Sequence, residues 1–298
     1  MSPSNRHGQA MLRLPDPSRR HRRREQALMF LLAAPALAVI LALVVLPVGW
    51  LMGQSFTDGG LTLAHYRRIF GEDIYWRSFA QTFRIAGIVT VLALVLGYPV
   101  AYAASQLRRP WNVLILALVV LPFWTSVLVR AYAWLVLLQR TGVVNQALDR
   151  LGLVDEPLAL IHNELGTIIA TVHILLPFMI IPLTATMQNI PTDLLRAGAS
   201  LGGSPLHLFL RIFLPLSVPG ILAGSTLVFV LTLGFYITPE LLGGGKVTMV
   251  SMLVSRNVEL YNQWGAASAV GVVLLVGVLA IFAIVARAIP LDRILGQQ

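Results

Sequence analysis

The sequence predicts an all-α, polytopic membrane protein with six transmembrane helices in one domain. Composition carries the first part of that reading. The chain is 57% hydrophobic and 12% charged over 298 residues, whereas a soluble domain carries about 25% charged residues. The missing charge points to lipid as the solvent. Distribution carries the second part, because the apolar residues gather into runs of the ~20 residues that cross a bilayer as a helix.

The first run, 28–52, follows a basic tail in which Arg6, Arg13, Arg19, Arg20, Arg22, Arg23 and Arg24 all precede it. Ala34-Pro35-Ala36 resembles a secretory cleavage site. The apolar run nevertheless continues from Val39 to Leu51, too long for a signal core, so an uncleaved first helix is expected. Runs at 82–106, 112–138, 166–188, 217–241 and 266–287 supply the other five spans. Pro47, Pro99, Pro122, Pro177 and Pro182 fall inside spans. Each removes a backbone donor and bends or breaks its helix. Such breaks survive in lipid only where protein or water meets the freed carbonyls. They read either as kinks in a bundle or as a path lined by broken helices.

Arginine and lysine set the direction. With the N-terminus inside, thirteen fall on the cytoplasmic side: the seven of the tail, Arg108, Arg109, Arg196, Arg211, Arg287 and Arg293. The other side holds seven: Arg67, Arg68, Arg77, Arg140, Arg150, Lys246 and Arg256. The excess lies where the positive-inside rule places it. The formal net charge of +9 is then largely a topology signal, and no nucleic-acid partner is expected. The expected division is a basic cytoplasmic tail at 1–27, a six-helix transmembrane domain at 28–290 with a cytoplasmic segment at 191–216, and a cytoplasmic C-terminal tail at 291–298.

Catalytic and metal chemistry find little support. There is no cysteine, so no disulfide or thiolate site. No G-x-x-x-x-G-K-[ST], H-E-x-x-H or G-x-S-x-G occurs. Gly243-Gly244-Gly245-Lys246 lacks phosphate-loop spacing and reads as a turn. His173 has no second ligand at helical spacing and reads as a hydrogen-bonded packing residue.

The longest segment outside the spans on the cytoplasmic side runs from Asp193 to Ile221. Residues 192–201 suit a helix, with Asp193 in the first turn, where the dipole favours it. Gly202-Gly203 ends it, Ser204 is a suitable N-cap, and Pro205 is pre-set for the next helix. That second helix should run Leu206 to Phe213 and stop at Pro215. An interfacial helix resting on lipid would carry more basic residues than His207 and Arg211.

At this segment the chain resembles the membrane subunits of ABC importers. Their signature reads E-A-A, three residues, G, nine residues, I-x-L-P. Here Gly202 is followed after nine residues by Ile212-Phe213-Leu214-Pro215, and Ala197 takes the first alanine position. Arg196 stands in place of glutamate, and Gly198 in place of the second alanine. Gly97-Tyr98-Pro99-Val100-Ala101-Tyr102, LPFWTSVLVRAYAW at 121–134, Leu176-Pro177-Phe178-Met179 and Ile237-Thr238-Pro239-Glu240-Leu241-Leu242-Gly243-Gly244 narrow the likeness. Together they are similar to the first permease subunit of spermidine/putrescine-type importers.

The resemblance implies a type I importer permease fold in a bacterial cytoplasmic membrane. It implies docking of Arg196, Ala197, Gly198, Gly202, Ile212, Leu214 and Pro215 against an ATPase. Two ATPase copies would hold the ATP and Mg, and this chain would bind no cofactor. A second, non-identical permease and an extracytoplasmic solute-binding protein complete the implied assembly. Candidates for the translocation path are Trp124, Thr125, Ser126, Arg130, Tyr132, Trp134, Tyr236 and Glu240. Arg130 lies within the third span, where a charge normally faces a cavity or a partner. Arg84, near the outer end of the second span, is expected to snorkel to the surface. Glu240 reads as a helix-end contact or as a group that meets a cationic cargo. A stand-alone secondary transporter or channel is the alternative, but the spans carry no mid-membrane Asp or Glu and no repeated half. Cargo stays open among polyamines, opines, phosphonates and metal chelates.

Overall fold

The computed structural model describes residues 17–288. The expectations for 1–16 and for 289–298, Arg6, Arg13 and Arg293 among them, lie outside the described residues. Those residues hold no strand, only an isolated bridge between Thr57 and Leu61.

The first helix, α1 (Pro17–Gln54), runs unbroken through Pro35 and Pro47. All of it but Gln54 falls in a compact unit that ends at Gly53. None of its apolar span, Leu31–Gln54, is buried.

The second unit contains α2 (Ala64–Gly71), α3 (Asp73–Gln106), α4 (Trp111–Val120), α5 (Val127–Leu138), α6 (Val143–Arg150) and α7 (Glu164–Gln188). It continues with α8 (Thr192–Ser200), α9 (Pro205–Leu208), α10 (Leu214–Leu233), α11 (Ile237–Leu242), α12 (Val250–Glu259) and α13 (Trp264–Ala288). Its core is the packing of α3, α7 and α10 on one another. Ile85, Val89 and Ala93 of α3, Met179, Ile180 and Leu183 of α7, and Val228 of α10 are fully or almost fully buried there. Lipid tails are as apolar as these side chains, so close van der Waals approach holds the helices together. Small residues supply the approach. A Cβ on Gly224 would meet Met179 Sδ at 2.8 Å, and one on Gly97 would meet Met179 Cγ at 3.2 Å.

Side-chain bonds fix the helix ends. Asn163 caps α7 by accepting the Gly166 N–H at 2.9 Å. Thr82 and Gln81 of α3 accept the N–H groups of Val250 and Thr248, both at 2.9 Å, and so hold the start of α12. Buried Asn145 donates to the carbonyls of Gln139 and Leu158 and accepts the Leu158 N–H at 2.9 Å, which ties down the loop after α6.

Three expectations about breaks need correction. The third run is not one helix over 112–138. It is α4, a 3-10 turn Leu121–Trp124, an extended Thr125, and then α5, because Pro122 sits in the turn and Ser126 caps the new helix. The fifth run does not reach 241, since α10 ends at Leu233 and residues up to 241 enter the separate helix α11. Pro215 does not stop a helix. It lies in the first turn of α10, where its missing N–H costs little. Pro99, Pro177 and Pro182 also leave their helices unbroken, so of the five prolines named above only Pro122 marks a break.

Candidate functional site

Two regions bring the candidate residues together. The first joins α7 to α10. Helix α8 ends in a double reversal: the Gly203 N–H donates to the Gly198 carbonyl at 3.1 Å and the Gly202 N–H to the Ala199 carbonyl at 3.0 Å. Gly202 takes φ +82°, a left-handed conformation that costs an L-residue about 1–2 kcal/mol. No atom would lie within 4 Å of a Cβ at Gly202. The turn therefore projects outward, and Leu201 beside it is 90% exposed. Ser204 then accepts the His207 N–H at 3.3 Å and starts α9, with Pro205 at its first position.

From α9 the chain enters a π turn, Phe209–Phe213, closed by the Leu214 N–H donating to the Phe209 carbonyl. Phe209 meets Tyr98 and Tyr102 edge-on, with ring centroids 6.0 and 5.8 Å apart, and Phe213 meets Tyr102 at 5.0 Å. Tyr98 also pairs with Ser217 at 3.0 Å. These contacts fasten the joint to α3. Gly198 explains how α8 folds back on it, since a Cβ there would meet Leu208 Cδ2 at 2.6 Å and Ile212 Cδ1 at 2.8 Å. Arg196, Ala197 and Pro215 are exposed, while Ile212 and Leu214 are half-buried. Arg196 reaches only Asp193, at 3.6 Å.

The second region is a cavity of about 400 Å³ behind the break between α4 and α5. Thr125, Ser126 and Arg130 line it together with Phe123, Phe178 and Phe235. Arg130 is only 9% exposed. Its Nε and Nη1 have no hydrogen-bond partner, and its guanidinium lies 5.8 Å from the Phe123 ring centroid. Trp124, Tyr132, Trp134, Tyr236 and Glu240 do not line this cavity. Trp124 and Tyr132 are exposed. Trp134 donates to His173 Nδ1 at 3.1 Å, so His173 is hydrogen-bonded as expected. Tyr236 packs against the core, and Glu240 is exposed on α11.

Arg84 does not merely snorkel: it is ion-paired with Glu164 in the first turn of α7, which ties α3 to the start of α7. The glycine run after α11 is a turn, with Gly244 and Gly245 at φ +58° and +74°. Phe123, Phe178 and Phe235 were not candidates in the sequence. Phe123 and Phe178 sit inside the motifs LPFW and LPFM, yet as apolar residues in apolar runs they carried no separate signal.

The family model described as the binding-protein-dependent transport system inner membrane component matches residues 19–291. The spermidine/putrescine transport system permease protein PotB of Haemophilus influenzae is 34% identical over 244 residues, 80% of this chain and 84% of that one. The inner membrane ABC transporter permease protein YdcU of Escherichia coli is 36% identical over 222 residues, 70% of each chain. Among solved structures, a chain of the bacterial alginate ABC transporter in complex with an alginate pentasaccharide-bound periplasmic protein superposes with a TM-score of 0.69 at 18% identity. That match covers 87% of this chain and 92% of the other.

Proposed function

Because this chain belongs to the binding-protein-dependent transport system inner membrane components, we propose that it is the permease subunit of an ATP-driven importer for polyamine-like or related small polar solutes. The subunit is a transport component of a multi-pass bacterial inner membrane protein family, not an enzyme. In this reading both termini are cytoplasmic. Solute arrives on an extracytoplasmic binding protein, two ATPase copies dock from the cytoplasm, and a sibling permease completes the path. The domain limits proposed are 28–290 for the permease, with the coupling segment at 191–216. ATP and Mg belong to the partner subunits.

The observation that supports this best is the outward turn at Gly202. Its backbone is unobstructed, and it sits at the tip of a segment clamped through the π turn to α10 and through aromatic contacts to α3. A push on that tip is delivered to two of the three core helices. Arg196, Ala197, Gly198, Ile212, Leu214 and Pro215 would form or support the docking surface. Replacing Gly202 with Leu strains the turn and adds bulk at the tip. The variant should insert and assemble, yet lose most ATP-coupled uptake, measured in proteoliposomes beside ATP hydrolysis. Normal uptake by a well-expressed Gly202→Leu protein refutes the coupling role. Gly202→Asn, whose side chain tolerates the left-handed region, should lose less.

A further inference from the structure

We infer that a polar pocket at the end of the molecule opposite the Gly202 turn receives a lysine or arginine side chain of the solute-binding protein. The inference rests on the importer reading and names the surface on which that partner docks. The pocket, of about 480 Å³, lies between the loop after α1, the start of α2 and the turn that joins α12 to α13. Helix α3 separates it from the segment around Gly202. Tyr98 and Tyr102, late in α3, hold the π turn. Ile69 of α2 is instead buried with Tyr75 and Phe79 at the start of α3, and with Ala269 and Val270 of α13. With the Gly202 turn cytoplasmic, the pocket opens on the outer side.

Local bonds hold the walls. His65 Nε2 donates to the Thr57 carbonyl at 3.2 Å, the Thr57 hydroxyl donates to the Gln54 carbonyl at 3.0 Å, and Trp264 Nε1 donates to Asn262 Oδ1 at 3.1 Å. Gly265 lets the two walls meet, since a Cβ there would lie 2.7 Å from both His65 Nε2 and the Thr57 carbonyl oxygen. Besides His65, two charged side chains line the pocket. Arg68 is paired with Glu72 at 3.2 Å. The Asp58 carboxylate has no hydrogen bond or ion pair among the described residues, and neither has the Gln263 amide. The unanswered charge is therefore negative, beside the exposed ring of Trp264. A long basic side chain suits both features: its head pairs with the carboxylate, and its apolar stem lies along the indole. Around the pocket Leu61 is 92% exposed, and Leu63, Leu260 and Tyr261 are exposed as well. These four lie in the connections between apolar spans. A patch of exposed large apolar side chains around a polar centre marks a protein-docking surface.

The Asp58 side chain holds nothing in the fold, so its variants should insert normally. The assembled transporter in nanodiscs, with its ATPase and sibling permease, is titrated with the fluorescently labelled cognate solute-binding protein. Asp58→Asn should raise the Kd roughly threefold to fivefold, and Asp58→Lys roughly tenfold or more. Added salt should weaken binding to the wild-type transporter more than binding to the Asp58→Asn variant. The chain has no cysteine, so Gln263→Cys carrying benzophenone maleimide gives this subunit a single cross-linking point. It should capture the binding protein. Changing a lysine or arginine on the captured peptide to glutamate should restore binding to the Asp58→Lys transporter. An unchanged Kd in both Asp58 variants, cross-links only to the sibling permease or to lipid, or no charge swap that restores binding would overturn the docking pocket and leave the importer reading standing. A binding protein that does not associate with the wild-type transporter at all would overturn both.

Discussion

Arg196 shows how much a single side chain can say. It is four-fifths exposed, and its contact with Asp193 at 3.6 Å is between two solvated groups. Such pairs are worth roughly 0–1 kcal/mol, so Arg196 is free to serve another subunit. Charges at an interface set partner choice more than raw affinity. Arg196→Glu should therefore weaken assembly with the cognate ATPase by roughly tenfold or less, about 1 kcal/mol, read by co-purification from membranes. Tighter assembly would mean that the reversed charge has no matched partner. At this scale the local signals were legible: the Gly202 reversal and the Ser204 cap each depend on neighbours within a few residues. The Arg130 surroundings were not. Phe123, Phe178 and Phe235 come from the 3-10 turn, α7 and the turn after α10, and only the packing of those elements brings them to one pocket with Arg130.

At the scale of elements, prolines of one type have opposite outcomes. Pro122 sits in a tight turn followed by an extended Thr125 and a capping Ser126, and the span breaks. Pro215 follows a π turn in which hydrogen bonds skip one residue further back, and the helical path continues. Hydropathy averages over the break at Pro122, so the third run reads as one span, and it carries the fifth run past the end of α10 at Leu233 into α11. The Ser126 cap was present in the sequence, but a run of apolar neighbours concealed it. Helix α8 depends on Gly198 in the same local way. A methyl group there would press on the flexible ends of Leu208 and Ile212, which can shift. Gly198→Ala should therefore keep most of the coupled uptake. Gly198→Leu should prise α8 from the π turn, at a cost of about 1–3 kcal/mol, and should uncouple ATP hydrolysis from uptake even where the Gly202 turn is intact. Equal activity of the two variants in proteoliposomes would show that the fold-back is not needed.

For the whole molecule, the six-span count was legible because lipid imposes a minimum length on every crossing. Direction is an expectation drawn from an excess of arginine, and it has a direct measurement. Two single thiols, Asp155→Cys in the loop before α7 and Ser200→Cys at the end of α8, lie at opposite ends of α7. In intact spheroplasts a membrane-impermeant maleimide should label the first and reach the second only after permeabilisation. The converse pattern would invert the topology and remove the coupling segment from the cytoplasm.

The π turn also fixes a phase. One extra residue in a helical path rotates everything before it by about 100° relative to everything after it and advances it by about 1.5 Å. The segment proposed to couple is thus mounted on α10 like a key on a shaft, at an angle set by Phe209–Phe213. A one-residue change anywhere in that turn would leave every side chain of the proposed docking surface present and aim them all in the wrong direction.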